Sequence, residues 1–152
     1  MSVEKEFMNE AIRLAIKSYE EDEVPVGAVV VKDNKIIGCG YNQKDKTKNP
    51  LKHAELIAIE DACKYIGDWR LNDCTLYTTF EPCMMCMGAI IESRISKVVY
   101  GVKKDEQMFV MNLLKKYTKK YWKKLKNIVI YVYATLMLEP GQRWKSAALI
   151  TS

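Results

Sequence analysis

The residues of this chain that are best suited to chemistry lie in two short segments. The first segment is His53-Ala54-Glu55 and the second is Pro82-Cys83-Met84-Met85-Cys86. Imidazole nitrogen and thiolate sulfur are good zinc ligands, so His53, Cys83 and Cys86 form a candidate metal site. Structural zinc sites normally use four protein ligands, whereas three protein ligands leave a position for a reactive water. The pattern therefore favours a catalytic Zn²⁺ with a water or hydroxide as its fourth ligand.

Glu55 is the candidate proton carrier of this site. Residues two apart in the middle of a helix point to nearly opposite sides, so His53 and Glu55 can serve one site only where a helix begins. Cys83 and Cys86 can bind one ion from a single helical turn, and a helix N-terminus favours their thiolate form. Zinc lowers the pKa of bound water to about 7, and a carboxylate can move the proton to a leaving nitrogen. Hydrolytic deamination needs these two steps.

The remaining cysteines and the bare Cys-x-x-Cys pattern have simpler interpretations. Alone, Cys83 and Cys86 are also compatible with a redox pair, half of a structural zinc site, or chance. The upstream His-x-Glu favours the catalytic site, because a purely structural site does not explain the missing fourth ligand. The total of five cysteines is odd, which argues against a disulfide scaffold in a chain of this size. Cys39, Cys63 and Cys74 are assigned to the core, where free cysteine is common.

Hydrophobic periodicity predicts the elements that must position these residues. Helices are predicted over Val3–Glu20, from about His53 to Tyr65, and from Pro82 to Ser93, which places Cys83 and Cys86 in a first turn. Strands are predicted over Val26–Val31, Lys35–Cys39, Thr75–Thr79 and Lys97–Gly101, the first two joined as a hairpin by Asp33-Asn34. Helices that alternate with strands predict an α/β protein.

Charge is unevenly distributed along the chain. Acidic residues crowd the start, at Glu4, Glu6, Glu10, Glu20, Glu21, Asp22 and Glu23. Seven lysines and no acid lie between Lys115 and Lys126, within a basic amphipathic helix predicted over Met108–Lys126. A solvated helix face is the simpler interpretation, although such a face also attracts phosphate backbones. A further strand is predicted over Ile128–Leu138.

Length and composition indicate one folded domain over residues 1–152. Hydrophobic residues make up 49% of the chain and the net charge is +5, as in an ordinary globular protein. No stretch approaches the roughly 20 apolar residues that span a bilayer, and residues 1–10 do not resemble a secretory signal. These features predict a cytoplasmic protein without a membrane partner.

The order of motifs resembles that of the bacterial tRNA-specific adenosine deaminases, which belong to the cytidine deaminase-like zinc deaminases. The matching segments are Glu23-Val24-Pro25-Val26-Gly27-Ala28-Val29, Gly40-Tyr41-Asn42, His53-Ala54-Glu55, Trp69-Arg70-Leu71, Glu81-Pro82-Cys83-Met84-Met85-Cys86, Ser93-Arg94-Ile95 and Val99-Tyr100-Gly101. The resemblance covers about residues 5–114. It implies a three-layer cytidine deaminase-like fold, in which helices flank a central mixed sheet of about five strands.

The same resemblance implies a function and a substrate. The function is zinc-dependent hydrolytic deamination of adenosine to inosine at the wobble position of tRNA, by a homodimer that binds the anticodon stem-loop. It implies that Asn42 and Ala54 contact the flipped base, although an Asn after a strand is by itself typical of a turn. Residues 115–152 depart from the family pattern, and Lys103-Lys104 stands where the family usually has an acidic residue.

Two other functions remain compatible with the sequence. The same zinc chemistry can act on a free base or nucleoside, such as guanine or cytosine, in a smaller pocket. A zinc-stabilised RNA-binding protein without catalysis is the alternative of another class, which the basic segment motivates and the presence of Glu55 disfavours.

Overall fold

The computed structural model describes residues 2–103 together with residues 146–147. The helices are α1 (Val3–Glu20), α2 (Lys44–Thr47), α3 (Ala54–Ile66) and α4 (Met84–Glu92). The strands are β1 (Gly27–Lys32), β2 (Lys35–Tyr41), β3 (Thr75–Phe80), β4 (Lys97–Val102) and β5 (Ser146–Ala147). The predicted helix over Met108–Lys126 and the predicted strand over Ile128–Leu138 lie outside the described residues. Among residues 2–103, no helix has both the length and the apolar character that crossing a bilayer requires.

The strands form one mixed sheet in the order β2-β1-β3-β4-β5. β1 pairs antiparallel with both β2 and β3, whereas β3 pairs parallel with β4. Asp33 and Asn34 both have positive φ, 50° and 58°, which fits the tight two-residue turns that join right-twisted hairpin strands. Because β3 and β4 are parallel, the chain must cross over between them, and α4 lies in this crossover.

Helices cover both faces of the sheet, so the predicted three-layer α/β architecture is confirmed. α1 packs on one face in a cluster that includes Phe7, Met8, Ala11, Ala15, Val29, Val31, Tyr77 and Val99. α3 and α4 pack on the other face in a cluster that includes Ala54, Ala58, Ala62, Val30, Leu76, Ile90 and Val98. The predicted number of about five strands agrees with the sheet, although β5 has only two residues. Four longer strands therefore support the site.

The start of α4 lies two residues later than predicted, at Met84 instead of Pro82. The helix begins at Met84, and Cys83 is its N-cap residue with extended backbone (φ −70°, ψ 172°). Cys83 therefore does not lie in the first turn, whereas Cys86 does. The prediction misplaced the boundary because proline at the first turn was taken as the start, while Pro82 precedes the cap.

Gly40 of β2 allows α3 to approach the sheet closely beside the N-terminus of that helix. A Cβ at Gly40 would overlap the carbonyl oxygen of Ala54 and would lie 2.7 Å from the nitrogen of Ala58. Both neighbours are backbone atoms, which cannot rotate away. Because Gly40 has no side chain, the start of α3, directly after His53, can lie close to β2.

We expect Gly40→Ala to lower the free energy of unfolding by about 2–3 kcal/mol, as overpacking in a filled core does. Zinc affinity should fall as well, because Ala54 must shift and His53 precedes it. Urea denaturation and zinc analysis measure the two effects. Gly88→Ala in α4 is the control, since a Cβ there meets no atom within 4 Å. Equal stability of the Gly40 variant and wild type would contradict the proposed close contact.

Candidate metal centre

The three predicted zinc ligands lie at the starts of two helices on the same side of the sheet. His53 is the N-cap residue of α3, with extended backbone at φ −76° and ψ 150°. Cys83 is the N-cap residue of α4, which follows the end of β3 after Glu81-Pro82. The extended N-cap turns the His53 side chain away from the direction that a mid-helix residue would take. His53 and Glu55 thereby face one site, as the spacing argument required.

The three ligand atoms are close enough together to bind one ion. The Nδ1 atom of His53 lies 3.6 Å from Sγ of Cys83 and 3.5 Å from Sγ of Cys86. All three donor atoms lie within 4.8 Å of one another. A tetrahedral zinc with Zn–N near 2.05 Å and Zn–S near 2.3 Å requires N···S separations of about 3.6 Å. The donor types and the two N···S distances therefore fit zinc, with Nδ1 rather than Nε2 directed to the ion.

The electrostatic environment of the site also favours a bound cation. Burial raises the pKa of the Cys86 thiol, and the Glu55 carboxyl and Cys83 raise it further. Burial lowers the pKa of His53, with a smaller effect of Lys44 in the same direction, so the imidazole is neutral at neutral pH. A neutral imidazole has the lone pair that a metal needs. A divalent ion provides the positive charge that a buried thiolate beside a carboxylate lacks.

Glu55 lies against this cluster at the start of α3. Its side chain is 4% exposed, and its Oε2 atom accepts a hydrogen bond from Sγ of Cys86 at 3.6 Å. Burial raises the pKa of the Glu55 carboxyl, and hydrogen bonds from its own backbone N–H and from Cys86 oppose that rise. A carboxyl group with a raised pKa can both accept and return a proton near neutral pH.

A pocket of about 210 Å³ opens beside these residues. It is lined by Val24, Val26, Asn42, Lys44, His53, Ala54, Glu55, Phe80, Glu81 and Cys83. Both predicted substrate-binding residues, Asn42 and Ala54, are thus in the pocket wall. The Asn42 amide is held in place, because its Nδ2 donates to the carbonyl of Val24 at 3.2 Å and its Oδ1 accepts the N–H of Lys44 at 3.2 Å. The amide retains a second N–H donor for a ligand.

Sequence reasoning missed several residues of this pocket. Val24, Val26 and Glu81 belong to segments that match the family motifs, and Val26 also begins a predicted strand. Phe80 directly follows the predicted strand Thr75–Thr79. No local signal identifies these residues, because the pocket forms only when the loops after α1, β2 and β3 meet.

The three-layer fold and the His-Cys-Cys cluster together define an α/β domain with a candidate zinc centre. The family model described as the cytidine and deoxycytidylate deaminase zinc-binding region matches residues 1–102, and the chain belongs to this family. The family is zinc-binding, which agrees with the donor set of the pocket.

Among similar proteins, several are tRNA-specific adenosine deaminases. The enzyme of Bacillus subtilis (strain 168) is 46% identical over 101 residues, which cover 66% of this chain and 63% of the relative. The enzyme of Streptococcus pyogenes serotype M18 is 48% identical over 95 residues, which cover 62% of this chain and 60% of the relative. The chain thus spans less than two thirds of the length of either relative.

Two solved structures of deaminases that act on different substrates are about equally similar to this chain. One, from a study of A-to-I editing by tRNA:A34 deaminases, has a TM-score of 0.65 at 39% identity, covering 66% of this chain and 72% of that chain. The other is a guanine deaminase from Bacillus subtilis, with a TM-score of 0.67 at 39% identity, covering 70% of this chain and 68% of that chain. Backbone similarity alone therefore does not select the substrate.

Proposed function

We propose that this protein catalyses the zinc-dependent hydrolytic deamination of adenosine to inosine at the wobble position of tRNA. The observation that carries the proposal is the open cluster of three metal donors beside a buried carboxyl group in a pocket. The tRNA-specific relatives, at 46% and 48% identity, support adenosine in tRNA as the substrate.

In the proposed reaction, His53, Cys83 and Cys86 hold zinc. Zinc held by these residues would accept a water or hydroxide as its fourth ligand and would lower the pKa of that water, which would supply a nucleophile at neutral pH. Glu55 takes a proton from the attacking water and delivers it to the leaving amino group. Water adds at C6 of adenine and ammonia leaves, so the products are inosine and ammonia.

The pocket walls hold the base in this reaction. Asn42 donates its second amide N–H to the base, from an orientation already set by Val24 and Lys44. Ala54 is the first residue of α3. Because the first N–H groups of a helix have no acceptor within the helix, the backbone N–H of Ala54 can donate to the substrate. Phe80 contributes an aromatic side chain to the pocket wall.

We further propose that the active form is a cytoplasmic homodimer and that residues 1–152 form one domain. Two exposed apolar residues of α4 support the proposal of a dimer. Met84 is 89% exposed, and Ile91, two turns later on the same helix, is 52% exposed. Exposed apolar side chains on one helix face are typical of an interaction surface. The cytoplasmic location follows from the proposed tRNA substrate.

The function is tested by incubating the zinc-loaded protein with total tRNA and with an anticodon stem-loop that contains a wobble adenosine. We expect inosine at that position by mass spectrometry of nuclease digests. Ammonia release from free guanine without inosine in tRNA would instead establish the free-base alternative. Tight, salt-sensitive tRNA binding with no ammonia release from either substrate would establish the non-catalytic RNA-binding alternative.

Guanine is the second candidate substrate, because the guanine deaminase structure resembles this chain as closely as the tRNA-editing one. Lys44 favours RNA over this alternative. Its side chain lines the pocket, and free guanine carries no anionic group to pair with it, whereas RNA has a phosphate on each side of the reacting nucleoside.

We expect Lys44→Gln to weaken stem-loop binding and to reduce the slope of log K against log salt concentration by about 0.7, which corresponds to one phosphate contact on a single strand. Fluorescence anisotropy over a salt series measures this slope. Lys48→Gln is the matched control, since Lys48 is exposed directly after α2 and is not among the residues that line the pocket. An unchanged slope for Lys44→Gln would remove the argument for a phosphate at this position.

A further inference from the structure

Glu23 stands out among the acidic residues that crowd the start of the chain because its side chain is only 4% exposed. Within the part of the chain that the structure describes, Glu23 and Glu55 are the two buried carboxyl groups. The Glu55 carboxyl belongs to the proposed catalytic site. Glu23 lies in the loop between α1 and β1 and has no role in the proton transfer.

The carboxylate of Glu23 holds the start of α2 through two backbone hydrogen bonds. Its Oε1 atom accepts the N–H of Lys46 at 2.6 Å, and its Oε2 atom accepts the N–H of Asp45 at 3.1 Å. The first N–H groups of a helix have no acceptor within the helix, so a carboxylate here fills an otherwise unsatisfied position. Hydrogen bonds to an ionised acceptor are roughly twice as strong as neutral ones.

Packing does not hold α2 in place. The helix has four residues and buries none of their side chains. A helix this short has no independent stability, because the first turn is unfavourable to nucleate. The ion pair of Lys46 with Glu21 is exposed at Lys46 and partly exposed at Glu21, and such surface pairs contribute little. The two hydrogen bonds to the buried Glu23 carboxylate are therefore the main side-chain anchor of the α2 start.

The anchored segment carries two residues of the pocket, Asn42 and Lys44. The N–H of Lys44 is hydrogen-bonded to Oδ1 of Asn42, so the orientation of the Asn42 amide depends on the position of the α2 start. On the other side, Nδ2 of Asn42 donates to the carbonyl of Val24, the residue after Glu23. Glu23 thus holds the start of α2 and Val24 holds the side chain of Asn42. The hydrogen bond between Asn42 and Lys44 joins these two contacts at the pocket wall.

We propose that Glu23 is a positioning residue, which fixes Asn42 and Lys44 for substrate binding without touching the substrate. This inference rests on the proposed function, since it assigns these two residues to the substrate. It predicts that loss of the Glu23 carboxylate raises KM and has little effect on kcat, because Glu55 and the metal donors lie within α3 and α4 or directly before them.

Glu23→Gln tests the inference, because glutamine has the same shape but brings an N–H group against a backbone N–H. We expect amide hydrogen exchange at Asp45 and Lys46 to accelerate on the order of tenfold or more, and KM for the stem-loop to rise by a similar factor. kcat, zinc content and the exchange of β1 and β3 amides should stay within about twofold of wild type. Glu21→Gln is the matched control, because the Glu21 carboxylate accepts hydrogen bonds from the side chains of Lys46 and Tyr41 and not from the backbone N–H groups of Asp45 and Lys46.

The readouts separate this inference from the proposed function. If wild type does not deaminate the stem-loop, the proposed function fails, and amide exchange still reports whether Glu23 anchors α2. A folded, zinc-loaded Glu23→Gln variant with wild-type exchange at Asp45 and Lys46, or with accelerated exchange but unchanged KM, would overturn the positioning role. Should this variant fail to fold, Glu23→Asp retains the charge on a shorter side chain and is judged by the same two readouts.

Discussion

Glu55→Gln is expected to lower kcat for inosine formation by about 10³- to 10⁴-fold while the protein retains its zinc. One carboxyl group is proposed to take the proton from water and to return it to the leaving amine, so both transfers fail together. General acid–base catalysis contributes about 10²- to 10⁴-fold in rate, and a residue that serves twice belongs near the upper limit. Glutamine keeps the size of the side chain. It also leaves the three metal donors in place, because these belong to His53, Cys83 and Cys86.

The measurement combines single-turnover kinetics on the stem-loop with zinc analysis of the same sample. Folding should not suffer, because burial raises the pKa of Glu55 and a neutral amide is easier to bury than a carboxylate. Glu60→Gln is the control on the same helix, since Glu60 is exposed and its carboxylate forms ion pairs with Lys52 and Lys64. Activity within tenfold of wild type in zinc-loaded Glu55→Gln would show that another group moves the proton.

Cys83→Ser is expected to release zinc and to abolish activity while α4 remains formed. Serine is a favoured N-cap residue, so the start of the helix is retained. Its hydroxyl is a poor replacement for thiolate as a zinc ligand. Zinc binding to structural sites amounts to about 10–16 kcal/mol over four ligands, so one thiolate accounts for roughly 3 kcal/mol or more, a factor of at least about a hundred in affinity.

Zinc content after dialysis against a chelator, with the thermal midpoint before and after, measures this loss. Zinc stabilises the folded state by mass action, so chelation should lower the midpoint of wild type and leave that of Cys83→Ser unchanged. Cys63→Ser is the matched control, because Cys63 is also partly buried but its Sγ donates to the carbonyl of Trp69, outside the site. Equal zinc retention by the Cys83 and Cys63 variants would exclude Cys83 as a ligand.

Local sequence patterns predicted the elements well where their signal was strong. The apolar periodicity of residues 3–20 and the positive-φ turn at Asp33-Asn34 correspond to α1 and the β1–β2 hairpin as observed. The predicted start of α4 was wrong by two positions, because a cap residue differs from a first-turn residue in its backbone angles and not in its residue type. The order of strands in the sheet was beyond local patterns, since β1 pairs with β3 across almost 50 residues of chain.

The chemistry of the candidate centre is determined by the sequence itself, because ligand type, ligand number and the spacing of His53, Glu55, Cys83 and Cys86 restrict what they can bind. Only the tertiary structure decided what surrounds them. Glu23 and Glu21 are the same residue type two positions apart, yet one is buried against backbone N–H groups and the other is partly exposed in an ion pair. Burial depends on contacts between distant segments, so the roles of Glu23 and Lys44 follow from the packing of the loops and not from their own composition.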